Sequence, residues 1–142
     1  MNYLSIGDEI VARLKSEVPD LLEVYTPSGV GDAVEASLIS PCGHVVYGGD
    51  QIGGDAGRGS ASVVVQRWFV ILAVQESGSQ LSDTSNLRQE AGLIMPKILA
   101  ALQGWQPASS SRPLKRVDAS PPVYETTFAY YPFAFEGFLI TS

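Results

Sequence analysis

Residues 60–76 read SASVVVQRWFVILAVQE, with apolar side chains on both alternating faces. Val63, Val65, Phe69 and Ile71 share one face with Arg67, and Val64, Trp68, Val70, Leu72 and Val74 form the other. A period of two over so long a run predicts a strand, and apolar residues on both sides require cover on both sides. One cover is expected to be a helix and the other a neighbouring subunit.

Helical spacing appears twice. Ile6, Ile10, Leu14 and Val18 recur before Pro19 and predict a first helix over residues 6–18, with Ser5 and Asp8 placed as in a capping box. Its charged face, Glu9, Arg13, Lys15 and Glu17, reads as solvated. Leu87, Ala91, Ile94, Ile98 and Leu102 predict a second helix, capped by Asp83 or Thr84, kinked near residues 92–96 by Pro96 and closed by Gly104 in the left-handed conformation. Short strands are expected at residues 22–26, before the turn residues Pro27-Ser28-Gly29, and at 44–47. Residues 33–39 read as a strand, with a helical turn as the alternative. Residues 48–60 hold six glycines and read as the loop at the tip of a long hairpin. Residues 77–82 are a polar connection, and the serine-rich residues 106–113 read as a mobile loop. Further strands are expected at 114–117, 123–130 and 133–141, with a break at Pro121-Pro122. Seven of the thirteen aromatic residues fall between Tyr124 and Phe138, which marks a packed sheet surface or a seam between subunits. The fold class is therefore α+β: a mixed, mainly antiparallel sheet with a long β-hairpin, packed against two α-helices, in one domain spanning residues 1–142.

The composition narrows the function. In 142 residues, 45% are hydrophobic and 17% charged, too apolar for a disordered chain and low enough in charge that sister copies are expected to cover part of the surface. A formal charge of −6 argues against a general grip on phosphate backbones. The N-terminus lacks the pattern of a signal peptide, and the apolar run 68–74 is too short for a bilayer, so a reducing cytoplasm is the expected compartment.

Candidate chemistry is sparse. Cys42 and His44, the single cysteine and single histidine, stand two apart in Pro41-Cys42-Gly43-His44. On a strand both would face one way, which permits a dyad but supplies no orienting carboxylate and too few ligands for a metal. No catalytic, cofactor-binding or metal-binding residue is assigned. The segment Gly54-Asp55-Ala56-Gly57-Arg58-Gly59-Ser60 has the glycine spacing of a phosphate-binding loop, but Ser60 and Ala61 replace its lysine and hydroxyl, and a strand follows where a helix is needed. Arg112, Lys115 and Arg116 form the basic cluster, which reads as a strand edge that discourages unwanted pairing.

The order of these elements resembles the tail terminator proteins of Mu-like phages and prophages, with a more distant architectural likeness to the lambda-type terminator. The resemblance is carried by the N-terminal helix, by Gln66-Arg67-Trp68-Phe69-Val70, by Ala100-Ala101-Leu102-Gln103-Gly104-Trp105, and by Tyr130-Tyr131-Pro132-Phe133-Ala134-Phe135, and spans residues 6–140. It implies a structural subunit without enzymatic activity or cofactor. That subunit forms a homo-hexameric ring, in solution or only on the tube, and caps the tail tube. The ring stops polymerisation and provides the surface for head-tail connector proteins. The implied location is the virion tail, assembled in the bacterial host cytoplasm without a membrane partner, with DNA passing through the ring unbound. Asp50, Asp55, Arg58, Arg67 and Arg112 are the interface candidates, the first three for contact with the tail tube protein or an adjacent subunit. The alternatives are another tail or head-tail connector component and a small enzyme using Cys42 and His44.

Overall fold

The computed structural model describes residues 2–26, 39–55, 57–75, 85–125 and 128–141. In chain order the elements are α1 (Ser5–Glu17), β1 (Glu23–Tyr25), β2 (Cys42–Asp55), β3 (Ser62–Gln75), α2 (Ser85–Leu102), β4 (Lys115–Val117), β5 (Val123–Tyr124) and β6 (Phe128–Thr141). The strands form one sheet in the order β1-β2-β3-β6-β4, with β5 also paired to β6. Among the described strands only β1 and β2 pair in parallel. The architecture is α+β, with a mixed, largely antiparallel sheet and two helices among the described residues.

The alternation of β3 sets the two faces. Val64, Trp68, Val70, Leu72 and Val74 enter the main core with Phe133, Phe135 and Leu139 of β6, Ile6, Ile10 and Leu14 of α1, and Ile94 and Ile98 of α2. Both apolar stripes expected of the helices are thus seated on one side of the sheet, the side chain of Leu87 lying outside the described residues. Ile71 and Ala73 point to the outer face, where they form a second cluster with Cys42, Val46, Phe128 and Tyr130. These outer side chains are buried in the single chain. At this end of the strand the second cover is therefore supplied without a neighbouring subunit.

Several expectations are corrected. Leu4 is the N-cap of α1 and no side chain caps it, so Ser5 and Asp8 form no capping box. The glycine-rich residues 48–55 belong to β2 rather than to a loop, accommodated by register shifts between Tyr47 and Asp50 and between Ile52 and Gly54. Gly48 is needed there, because a Cβ would lie 2.6 Å from the Phe69 ring and 3.1 Å from the Arg67 carbonyl oxygen. Residues 128–141 form one strand through Pro132. Pro132 lies opposite Ile71, and its other side faces the gap between the residues paired to β5 and those paired to β4. A missing N–H is tolerated in such a gap.

The segment 106–113 is pinned rather than mobile. Glu9 accepts hydrogen bonds from the backbone N and the hydroxyl of Ser109, while buried Ser110 donates to the Arg112 carbonyl (2.6 Å) and accepts from the Phe138 N–H (3.1 Å). Gly104 is left-handed at φ 79°, as a helix-ending glycine should be, and α2 runs unbroken through Pro96. The expected strand at 33–39, the turn at Pro27-Ser28-Gly29, the connection at 77–82 and the cap at Asp83 or Thr84 lie outside the described residues.

Two glycines on the helices should respond in opposite directions. A Cβ at buried Gly7 would overlap the Trp68 ring, whereas one at Gly92 meets nothing. Gly7→Ala should lower the unfolding free energy by about 2 kcal/mol through overpacking. Gly92→Ala should raise it by about 1 kcal/mol through helix propensity. Urea unfolding midpoints of the two variants check both signs.

Candidate assembly interface

The far end of the β2–β3 hairpin is exposed from Asp50 through Asp55, and Ile52 is 68% exposed. Its turn is closed by Asp55, whose Oδ1 accepts hydrogen bonds from the backbone N–H of Gly57 (2.9 Å) and of Gly59 (3.0 Å). Those bonds hold the Asp55 carboxyl below the usual carboxylate range. They also occupy amides that a phosphate would need, which removes the remaining argument for nucleotide binding at this loop. Arg58 sits exposed at the tip with φ 51°, a left-handed conformation unusual for a residue with a Cβ.

Asp50 faces the helical side, opposite Gln66. It accepts a hydrogen bond from the Tyr3 hydroxyl, and that bond, more than burial, pushes the Tyr3 pKa up to about 12. Buried Gln66 continues the tie, donating to the Tyr3 carbonyl (2.7 Å) and accepting from the Trp68 indole N–H (3.1 Å). Asp50 therefore anchors the chain ahead of α1 to the hairpin. Together with Arg67, Val65, Glu136 and the neighbouring residues Gly48, Gly49 and Gln51, it also lines a hollow of about 180 Å³.

Arg67 and Arg112 lie on the outer face. The Arg67 guanidinium carbon is 5.9 Å from the Phe69 ring centroid, and that of Arg112 is 5.6 Å from the Phe138 centroid. The structure thus groups the five interface candidates as Asp55 and Arg58 at the tip, Asp50 and Arg67 around one hollow, and Arg112 on Phe138. Sequence reasoning missed the stacking partners Phe69 and Phe138. Arg67-Trp68-Phe69 carries the first as an i, i+2 spacing on a strand, while the second depends on a turn that periodicity does not reveal.

The Cys42 and His44 pair does form, with Sγ 3.7 Å from Nε2, on the outer face beside the stacked ring of Tyr25. Both residues are fully buried. Burial pushes the imidazole pKa down to about 4, so His44 is neutral at pH 7 and a weak base. Among the described residues no group of three or more His, Cys, Asp or Glu could hold a metal ion. No described helix is long and apolar enough to cross a membrane.

A family model for the phage tail terminator protein matches residues 1–141, essentially the whole chain. The chain belongs to the phage tail terminator family, and its place is that of a structural component of the virion tail. No curated protein matches it.

The buried imidazole makes stability depend on pH with a definite sign. The unfolded chain binds a proton at His44 below pH 6.5, and the folded chain only near pH 4. Stability is therefore lost as pH falls through that interval, by roughly 3 kcal/mol for this group. Compared with wild type, His44→Gln should show a correspondingly smaller loss between pH 7 and pH 4.5 in urea unfolding.

Proposed function

We propose that this chain is the subunit of a closed ring that docks on the last ring of a finished tail tube, stops further polymerisation, and provides the surface to which the head joins. The family match supports the terminator role. The observation that carries the ring reading is the hairpin end of β2, exposed over residues 50–55 and held by pairing to β3 and by the Asp55 turn. A preformed projection of this kind can engage a tube subunit or a neighbouring copy without an ordering cost.

The reading assigns each part a task. The tip around Arg58 meets the tube, the sheet carries contacts between copies, and DNA passes through the ring without specific binding. No bond is made or broken. The buried thiol and imidazole offer little support for the competing enzyme reading, since a reactant would have to open the outer cluster to reach them.

The test uses electron micrographs of tail tubes polymerised with and without the protein. Wild type should give tubes ending in one ring and lengthening no further, whereas long stacks of this protein would mark a tube subunit instead. Arg58→Gly removes the charge and relieves the left-handed φ, so the fold should survive. This variant should cap at least about tenfold fewer tubes, the loss of one well-placed charged contact. Capping at the wild-type level would remove Arg58 from the tube contact.

A further inference from the structure

The three salt bridges among the described residues, Arg13–Glu17, Lys15–Glu23 and Lys97–Asp20, use cations of α1 and α2. At the hairpin end of the outer face the arrangement differs. Arg67 and Arg112 lie over Phe69 and Phe138 and form no salt bridge among the described residues, and Lys115 forms none either. Glu136 is the register partner of both Arg67 and Lys115, and Asp50, which lines the same hollow as Arg67 and Glu136, accepts a hydrogen bond from the Tyr3 hydroxyl. Around them Val63 and Val65 are half-buried and Ile140 is 53% exposed. The register places Val63 beside Ile140 and Val65 beside Phe138.

The composition of this patch fits a protein partner better than a nucleic acid. Arginine and aromatic side chains are enriched where proteins bind proteins, and guanidinium groups already laid on rings lose less freedom on docking. A phosphate backbone would satisfy the cations and leave the valines, Phe138 and Ile140 in water. The partner should be acidic, and the chain itself carries a formal charge of −6. Two copies of the same cationic patch would repel each other. A self-contact here must therefore join the patch to a different, acidic surface of the next copy, and a head-to-tail contact is the kind that closes into rings.

We propose that the outer face of the β3–β6 arm, centred on Val65 and Phe138 and flanked by Arg67 and Arg112, is the surface on which a second copy of this chain docks head-to-tail. The inference rests on the ring reading above and deepens it by naming the contact. It also separates the faces: the arm's outer face joins copies, and the hairpin tip remains for the tube.

The test compares wild type with the double variant Arg67→Glu, Arg112→Glu, and with Arg67→Lys, Arg112→Lys. Sedimentation velocity reads self-association up to high concentration at low and high salt, and micrographs read ring formation on tail tubes. Circular dichroism and urea unfolding check that each variant folds. Wild type should associate more weakly as salt rises. The glutamate pair should weaken association at least tenfold or abolish rings, and the lysine pair should fall between. A folded glutamate variant that associates and forms rings like wild type would overturn the proposal. So would a glutamate variant with unchanged assembly but at least tenfold weaker binding to duplex DNA, which would reassign the patch to nucleic acid. If wild type caps tubes as a ring and the glutamate variant does so equally, the docking face is wrong and the function stands. If wild type neither associates nor caps tubes, the ring reading itself fails.

Discussion

Strand β3 is paired along both edges over its length, to β2 from Cys42 to Asp55 and to β6 from Phe128 to Thr141. A strand so held has no free edge, and its side chains are committed to two faces by the pleat. The two described helices pack on one of them, through the stripes of α1 and α2. The outer face divides along its length, buried around Cys42, His44 and Ile71 and open around Val65, Arg67 and Ile140. Helical packing, the second cluster and the exposed arm all follow from the continuity of this strand.

That division bears on what the molecule offers to others. The reactive groups, Cys42 and His44, are placed where the outer face is closed, and the charged and aromatic groups where it is open. Near α1, the polar tie through Tyr3, Asp50, Gln66 and Trp68 fixes the helix start against the hairpin. Both polar side-chain atoms of Gln66 have a partner, so burying it specifies register instead of carrying an unmet desolvation cost. A chain built this way presents rigid surfaces, which suits a component of an assembled tail.

Much of the fold was legible from residue spacing because burial on a helix or strand face is a local pattern. Ile6, Ile10 and Leu14, and the two sides of β3, are of this kind. The glycine-rich half of β2 was not legible, since glycine disfavours strands and only the cross-strand partners Val63 to Gln66 keep it extended. Likewise the order of residues 106–113 depends on Glu9 and Phe138, which are distant in sequence. The candidate site was read from charge alone. This named Arg67 and Arg112, which the structure puts on the open face, but gave no sign of that placement, of Asp50 turning toward Tyr3 or of Asp55 closing its own turn. Both of those roles are set by register and turn geometry rather than by residue type.

The central claim is that the open arm of the sheet is the working surface of the molecule. Amide hydrogen exchange of the protein free in solution and bound to tail tubes tests it most directly. The account predicts added protection in residues 50–69 and 136–141 on binding, with residues 70–75 of β3 already protected in both states. Unchanged exchange throughout the arm, with new protection confined to the region of Cys42 and His44 or to the exposed side of α2, would contradict it.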